Sequence, residues 1–206
     1  MKASGIILAG GCSSRMGRDK SLMVYNRQTL IERTVNELRK VVEDIVIASN
    51  HTSKYNISGV VEVPDLYPGM GPLAGMHAGL KQIKHQYAFI ISCDMPLFRA
   101  ELAKYLLDLS PGYDVVVPQL NNYLEPLCAV YSKGCIEPIE SCLKAGLRKI
   151  ILFYSQVRVL PVGREEIEKI GNPEELFYNL NTPEDYRSLL MRRQNMDGSP
   201  DDNQNC

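Results

Sequence analysis

The sequence predicts an α/β domain: a mostly parallel central sheet with helices packed on both faces. Two observations carry this. Short, wholly apolar runs such as Gly5-Ile-Ile-Leu-Ala9 and Ala88-Phe-Ile-Ile91 recur along the chain, and such runs suit strands buried on both faces. Helix-spaced stretches separate them, which is the pattern of βαβ units and right-handed crossovers. Length and composition agree. A chain of 206 residues, 45% hydrophobic and 23% charged, is an ordinary globular domain with a core large enough to need no disulfide or metal staple.

The elements follow in order. Gly5 to Ala9 is the first strand, ended by Gly10-Gly11. Leu30, Ile31, Thr34, Val35, Leu38, Val41 and Val42 recur at helical spacing, which predicts a helix over residues 29–42. Ile45 to Ala48 and Val60 to Val63 are the next strands, the latter closed by Pro64. Leu73, Met76, Leu80 and Ile83 describe a helix with Pro72 in its first turn. Ala88 to Ile91 is a strand, Leu102 to Leu109 a helix and Val115 to Val117 a strand. Beyond these, Tyr123 to Tyr131 reads as a strand, and Ile136 to Leu147 as a helix interrupted early by Pro138. Leu152 to Leu160 reads as short strands. Thr182-Pro-Glu-Asp185 is a helix start, with a capping hydroxyl, a first-turn proline and two acids at the positive end of the dipole. Residues 1–191 form one domain on this reading, and 192–206 a polar tail unable to bury enough surface to order itself.

Charge and cysteine usage narrow the class. With 23 Lys+Arg against 24 Asp+Glu, the chain lacks the basic excess of a general nucleic-acid binder. No apolar run approaches the ~18 residues of a membrane span, and the first run is too short for a signal-peptide core. The six cysteines are scattered without a Cys-x-x-Cys pair, as expected of reduced thiols in a cytoplasmic protein. His51, His77 and His85 form no metal-ligand spacing; His77, in the Pro72–Leu80 helix, has two readings, one facing the pocket and one turned away from it.

In sheets of this kind ligands bind beyond the carboxyl ends of the strands. That rule singles out the loops after Ala9, Val63 and Ser92. The first reads Leu8-Ala-Gly-Gly-Cys-Ser-Ser-Arg-Met-Gly-Arg-Asp-Lys20. Small residues let the backbone approach an anion closely, and Arg15, Arg18 and Lys20 add cations. The loop suits phosphates, although a solvated basic turn has the same composition. Its spacing is not that of a Walker A loop or a dinucleotide fingerprint, and Gly69-Met-Gly-Pro-Leu-Ala-Gly75 misses the latter by one residue. Asp94, in Cys93-Asp-Met-Pro96, fits two roles: a carboxylate for Mg²⁺, or a cap for the next helix. Asp65 follows another strand and fits either a nucleotide contact or a turn.

Leu8-Ala-Gly-Gly-x-Ser-x-Arg-Met-Gly-x-Asp-Lys20 resembles the signature loop of the MobA-like nucleotidyltransferases. Gly71-Pro-Leu-Ala-Gly75, Cys93-Asp-Met-Pro96, Glu125-Pro-Leu127 and Asn179-Leu-Asn-Thr-Pro-Glu-Asp185 agree with the family in the same order, covering residues 5 to about 190. The resemblance implies a three-layer, Rossmann-like nucleotidyltransferase fold. It also implies Mg²⁺-dependent transfer of GMP from GTP to molybdopterin-bound molybdenum cofactor, giving the guanine dinucleotide cofactor and pyrophosphate. Leu8, Ala9 and Gly10 would contact the nucleotide through the backbone, and Arg15 would meet the leaving pyrophosphate. Lys20 would offset phosphate charge, Asp65 would touch GTP and Asp94 would hold Mg²⁺. Gly71 to Gly75 would pack near base and ribose, while Asn179 and Asn181 would lie on the pterin side. Molybdoenzyme apoproteins or other proteins of cofactor assembly would be partners; nucleic acid and membrane would not.

The resemblance implies guanine, and so the guanylyl branch, since members with Leu-Ala-Gly-Gly tend to be guanine-specific and related cytidylyl enzymes tend to carry Leu-Ala-Ala-Gly; Gly10, without a β-carbon, leaves room for a purine. Two positions depart from that branch. Glu125-Pro126 stands where many members have His-Pro, and Ala48-Ser49 precede Asn50 where many have Asn directly after the strand. The alternatives are cytidylyl or another nucleotidyl transfer to a related phosphate acceptor, and non-catalytic delivery of a nucleotide cofactor.

Overall fold

The computed structural model describes residues 1–10, 19–50 and 53–197. Its centre is an eight-stranded sheet. The strands are β1 (Ser4–Leu8), β4 (Asp44–Ala48), β5 (Val60–Val63), β6 (Tyr87–Ser92), β7 (Val115–Leu120), β8 (Tyr123–Leu124), β9 (Cys128–Ser132) and β10 (Val159–Val162). The order across the sheet is β10-β7-β9-β6-β1-β4-β5, with β8 paired to β7. β1 lies parallel between β4 and β6, with Ile6 opposite Val46 on one side and Ile90 on the other. β9 runs antiparallel to both β6 and β7, so the sheet is mostly rather than wholly parallel.

Alternation along the strands builds two apolar layers. Ile7, Ile45, Ile47, Phe89 and Ile91 face α1 (Leu30–Leu38) and α3 (Ala100–Asp108), with α5 (Arg164–Glu168) and α6 (Pro173–Leu176) completing that layer. Ile6, Leu8, Val46, Ala88 and Ile90 face α2 (Pro72–Gln82) and α4 (Ile136–Lys144). Each central strand is therefore apolar on both sides, which is why it reads as an unbroken run. The three-layer architecture expected from the sequence is the one observed.

Several local expectations are corrected. The first helix has a capping box at Thr29 and Glu32 and ends at Leu38, short of residue 42. The chain then turns, with the Val41 and Val42 amides donating to Leu38 O, and Val41 and Val42 still pack on the layer below. The stretch expected as one strand from Tyr123 to Tyr131 is split at Glu125-Pro126-Leu127, where proline offers no amide to a ladder. Pro138 does not interrupt α4, because it sits in the first turn where its missing amide costs nothing. Residues 152–160 are mainly a 3₁₀ helix, Ile150–Gln156, preceding β10. Ile150 and Phe153 are buried three apart, the spacing of one face of such a helix.

A hairpin of β2 (Val24–Tyr25) and β3 (Gln28–Thr29) was not foreseen; Asn26 and Arg27 turn it with positive φ. It packs with the C-terminal segment through Tyr25, Leu30, Leu180 and Leu189. The last helix, α7 (Pro183–Asp197), begins where Thr182-Pro183 predicts and extends six residues past 191. Residues 198–206 lie outside the described residues. Cys93, Cys128, Cys135 and Cys142 are buried free thiols, whereas Cys12 and Cys206 lie outside the described residues. No described helix is long and apolar enough to cross a membrane.

Candidate active site

Chain order runs outward from β1 through β4 to β5 and then returns to β6 on the other side of β1. A sheet that reverses in this way opens a crevice at the carboxyl ends of the strands flanking the reversal. A cavity of about 420 Å³ lies there. Leu8 and Gly10 line it from β1, Ala48 and Asn50 from β4, Asp65 from the loop after β5, and Ser92 and Asp94 from β6. Gly69, Gly71, Pro72 and Gly75 close it from the start of α2, and Leu127 from the turn before β9.

Glycines make this crevice possible. A β-carbon at Gly75 would stand 3.2 Å from Leu8 Cδ2, 3.4 Å from Ala48 Cβ and 3.5 Å from Asp65 Oδ1. Gly71 caps α2 at φ +71, a backbone that L side chains rarely adopt. The cavity is thus bounded by the amino-terminal end of an 11-residue helix.

Hydrogen bonds fix the strand ends. Ala9 N donates to Ala48 O (2.9 Å), Cys93 N to Leu8 O (3.1 Å) and Ser92 N to Leu127 O (2.9 Å). Ala9 N and Leu8 O, expected to contact a nucleotide, are therefore engaged within the sheet; Leu8 also lines the cavity, and Ala9 packs on the α1 layer. Asn50, which follows the strand one position later than in many guanylyl members, still reaches the cavity and donates from Nδ2 to Gly10 O (3.4 Å). In the sequence it stands out only as a departure from the guanylyl branch. The strand-end rule that selected the other loops would have selected it too.

The chemistry-bearing side chains meet across long sequence separations. Lys20 Nζ lies 3.7 Å from Asp94 Oδ2 and donates to Asn181 Oδ1 at 3.3 Å. Asp94 Oδ1 is buried without a hydrogen-bond partner among the described residues. Asp94 O accepts from Leu180 N (2.9 Å), tying the C-terminal segment to the site. Asn179 is different: its side-chain amide donates to Phe177 O (3.1 Å). Arg15 and the loop from Gly11 to Arg18 lie outside the described residues.

Asp19, at the end of that loop, serves structure. Its carboxylate caps the turn at Lys20–Leu22, accepting from Ser21 N (3.0 Å), and pairs with Lys54. Burial alone would raise its pKa, but the bonds from Lys54 and Ser21 outweigh it and hold the carboxyl below its usual range. Burial raises the pKa of Asp65 and likewise of Glu125, two residues from Leu127. His77 does not line the cavity. It is buried beside α4, its ring edge-on to Tyr67 and its Nε2 3.6 Å from Glu140 Oε2.

A doubly covered α/β sheet with a glycine-walled crevice at its reversal, and a lysine beside an aspartate at the crevice edge, is the architecture of a nucleotidyltransferase. The comparisons agree. The model of the MobA-like NTP transferase domain matches residues 5–159, and the chain belongs to that family. A probable molybdenum cofactor guanylyltransferase from Pelotomaculum thermopropionicum is 42% identical over 185 residues, 90% of each chain. The molybdenum cofactor guanylyltransferase of Desulfosudis oleivorans is 36% identical, covering 88% of this chain and 91% of its own. Among solved structures, molybdopterin-guanine dinucleotide biosynthesis protein A from Archaeoglobus fulgidus superposes with a TM-score of 0.81 at 25% identity, covering 94% of this chain and all of its own. The 2-C-methyl-D-erythritol 4-phosphate cytidylyltransferase of Thermus thermophilus shares the fold, with a TM-score of 0.72 at 16% identity and coverage of 94% of this chain and 100% of its own.

Proposed function

We propose that this protein transfers GMP from GTP to molybdopterin-bound molybdenum cofactor in the cytoplasm, forming the guanine dinucleotide cofactor and pyrophosphate. The observation that carries the reading is the juxtaposition of Lys20 and Asp94 at 3.7 Å, at the edge of the glycine-walled cavity. Relatives at 36–42% identity bear the guanylyltransferase name.

An oxygen of the acceptor's terminal phosphate attacks the α-phosphorus of GTP. The new P–O bond forms as the bond to the β-phosphate oxygen breaks, and that electron pair leaves with pyrophosphate. Little covalent work falls to the protein, so alignment and charge neutralisation are what the residues supply. Gly10 and the Gly71–Gly75 turn admit base and ribose, and Asp65 packs beside them. Lys20 places its ammonium against the phosphates, and Arg15 is assigned to the leaving pyrophosphate. Asn181, already bonded to Lys20, and Asn179 face the acceptor.

Mg²⁺ fits Asp94. One oxygen of its carboxylate is buried with no hydrogen-bond partner among the described residues. A hard cation held by one protein carboxylate, with phosphate oxygens and water completing its shell, matches that donor set. When bound, it would neutralise charge on the phosphate oxygens.

The test is pyrophosphate release from GTP in the presence of the pterin acceptor and Mg²⁺, after a thermal-shift panel of GTP, CTP, ATP and UTP. A nucleotide at 100 times its Kd stabilises by about 2.7 kcal/mol, a shift of several degrees in a chain this size. We expect GTP to give the largest shift, increased by Mg²⁺, and Asp94→Ala to lose turnover. Preference for CTP would overturn the assigned product. Normal turnover in Asp94→Ala would overturn the metal role.

A further inference from the structure

Asp185 closes the Asn179–Asp185 stretch, and its acidity at a helix start is enough to explain its presence. The structure gives its carboxylate a second task. Oδ2 accepts from Thr182 N (2.7 Å), and the Asp185 amide donates to Thr182 Oγ1 (3.2 Å), a reciprocal cap on α7. The same Oδ2 also accepts from Asn181 N at 2.8 Å, one residue outside that cap. Asn181 Oδ1 in turn accepts from Lys20 Nζ (3.3 Å), and the preceding residue, Leu180, donates its amide to Asp94 O (2.9 Å).

We propose that Asp185 is a positioning residue: it pins the backbone at Asn181, so that the Asn181 amide oxygen holds the Lys20 ammonium beside Asp94. The links run at 2.8 Å from Asn181 N to Asp185, 3.3 Å from Lys20 to Asn181 and 3.7 Å from Lys20 to Asp94. The electrostatics agree with the geometry. The amides of Asn181 and Thr182, aided by the Lys20 charge, hold the Asp185 carboxyl below its usual range. Tyr178 Oη adds a brace, donating to Asp185 O at 2.7 Å. The catalytic consequence rests on the nucleotidyl-transfer reading above; the positioning itself does not.

Four variants separate positioning from simple helix capping. Asp185→Ala removes both roles. Asp185→Asn keeps a side-chain oxygen for the two amides. Thr182→Val removes only the hydroxyl side of the cap. Asn181→Ala removes the link to Lys20. Two readouts are taken: steady-state turnover of GTP, and the side-chain resonance of Lys20 in lysine-labelled protein without substrate. Misplacing a charge-neutralising group costs on the order of 10–100-fold in rate. We therefore expect Asp185→Ala to lower kcat by about that factor, with little change in KM for GTP. Asp185→Asn should recover most of the loss. Thr182→Val should lose stability yet keep kcat. Adding Asp185→Ala to Asn181→Ala should cost little more, because residues acting in series are not additive.

The Lys20 resonance should move in Asp185→Ala and Asn181→Ala and stay in place in Thr182→Val. An unmoved resonance in folded Asp185→Ala, or equal kcat losses in Asp185→Ala and Thr182→Val, would overturn the inference. If Asp185→Ala does not fold, Asn181→Ala and Thr182→Val decide: a Lys20 resonance that stays in place in Asn181→Ala, or moves as far in Thr182→Val, overturns the inference, and one that moves only in Asn181→Ala supports it. A wild-type protein inactive on GTP would overturn the functional reading while leaving the resonance test of positioning intact.

Discussion

Gly10→Ala isolates the purine pocket from the fold. Among the described residues, a β-carbon at Gly10 meets nothing closer than Ser49 Cα at 3.8 Å, Asn50 N at 3.9 Å and Ala48 O at 4.0 Å, and the backbone there is not left-handed. These are ordinary van der Waals distances, so the folded protein accepts the methyl. A substitution of this kind changes stability by about 0.5 kcal/mol or less, which is about 1–2 °C in Tm for a chain of this length. Gly10 lines the cavity, however, so on the proposed placement of the base the added methyl takes up room there. One methyl-sized misfit in a binding pocket is worth about 1–3 kcal/mol, or roughly 10–200-fold in kcat/KM. We expect GTP turnover to fall by that factor and CTP turnover to fall far less, since a pyrimidine is one ring smaller. The assay is pyrophosphate release with each nucleotide at saturating acceptor, alongside thermal unfolding. Unchanged kcat/KM for GTP would refute the placement of the base against Gly10. A loss of Tm well beyond a few degrees would refute the claim that the fold is indifferent there.

The helix that walls the pocket should be far less tolerant one turn on. A β-carbon at Gly79 falls 2.7 Å from Cγ2 of the buried Ile6, so Gly79→Ala should cost about 1–3 kcal/mol through overpacking, read as a lower urea midpoint without changed nucleotide preference. His77 governs a pH dependence: burial and the Lys81 charge hold its pKa below the ordinary 6.5, outweighing the pull of Glu140. The unfolded chain therefore takes up the proton first as pH falls, so stability should decline below about pH 6.5, and His77→Phe should flatten that slope in urea titrations run from neutral to mildly acidic pH. Tyr67 Oη donates to Glu140 Oε1 (3.1 Å) and ties the loop holding Asp65, Gly69 and Gly71 to α4. Tyr67→Phe should raise KM for GTP several-fold and leave kcat in place; an unchanged KM would show that the loop needs no such tie.

Much of this molecule is legible in order along the chain. The doubly apolar runs at Ile6-Ile7, Val46-Ile47 and Ile90-Ile91 specify strands covered on both faces, because alternation sends neighbouring side chains to opposite layers and both layers here are dry. The rule that ligands sit beyond strand ends led from those runs to Gly10, Asp65 and Asp94, and all three line one cavity. Strand direction was not legible. Cys128–Ser132 is as apolar as its neighbours yet runs against them, since burial fixes which residues are inside and says nothing of the sense in which the chain enters. Nor was the 3₁₀ helix at Ile150–Gln156, a short apolar segment whose period is too brief to separate helix from strand. The arrangement of the site is likewise a product of folding. Lys20 and Asn181 are 161 positions apart and meet where Tyr25 of the hairpin and Leu30 of α1 share a small cluster with Leu180 and Leu189 of the C-terminal segment, and where Leu180 N bonds to Asp94 O. Residue types and local periodicity name the candidates one loop at a time; which of them touch depends on contacts between distant segments, and only the packed chain brings those together.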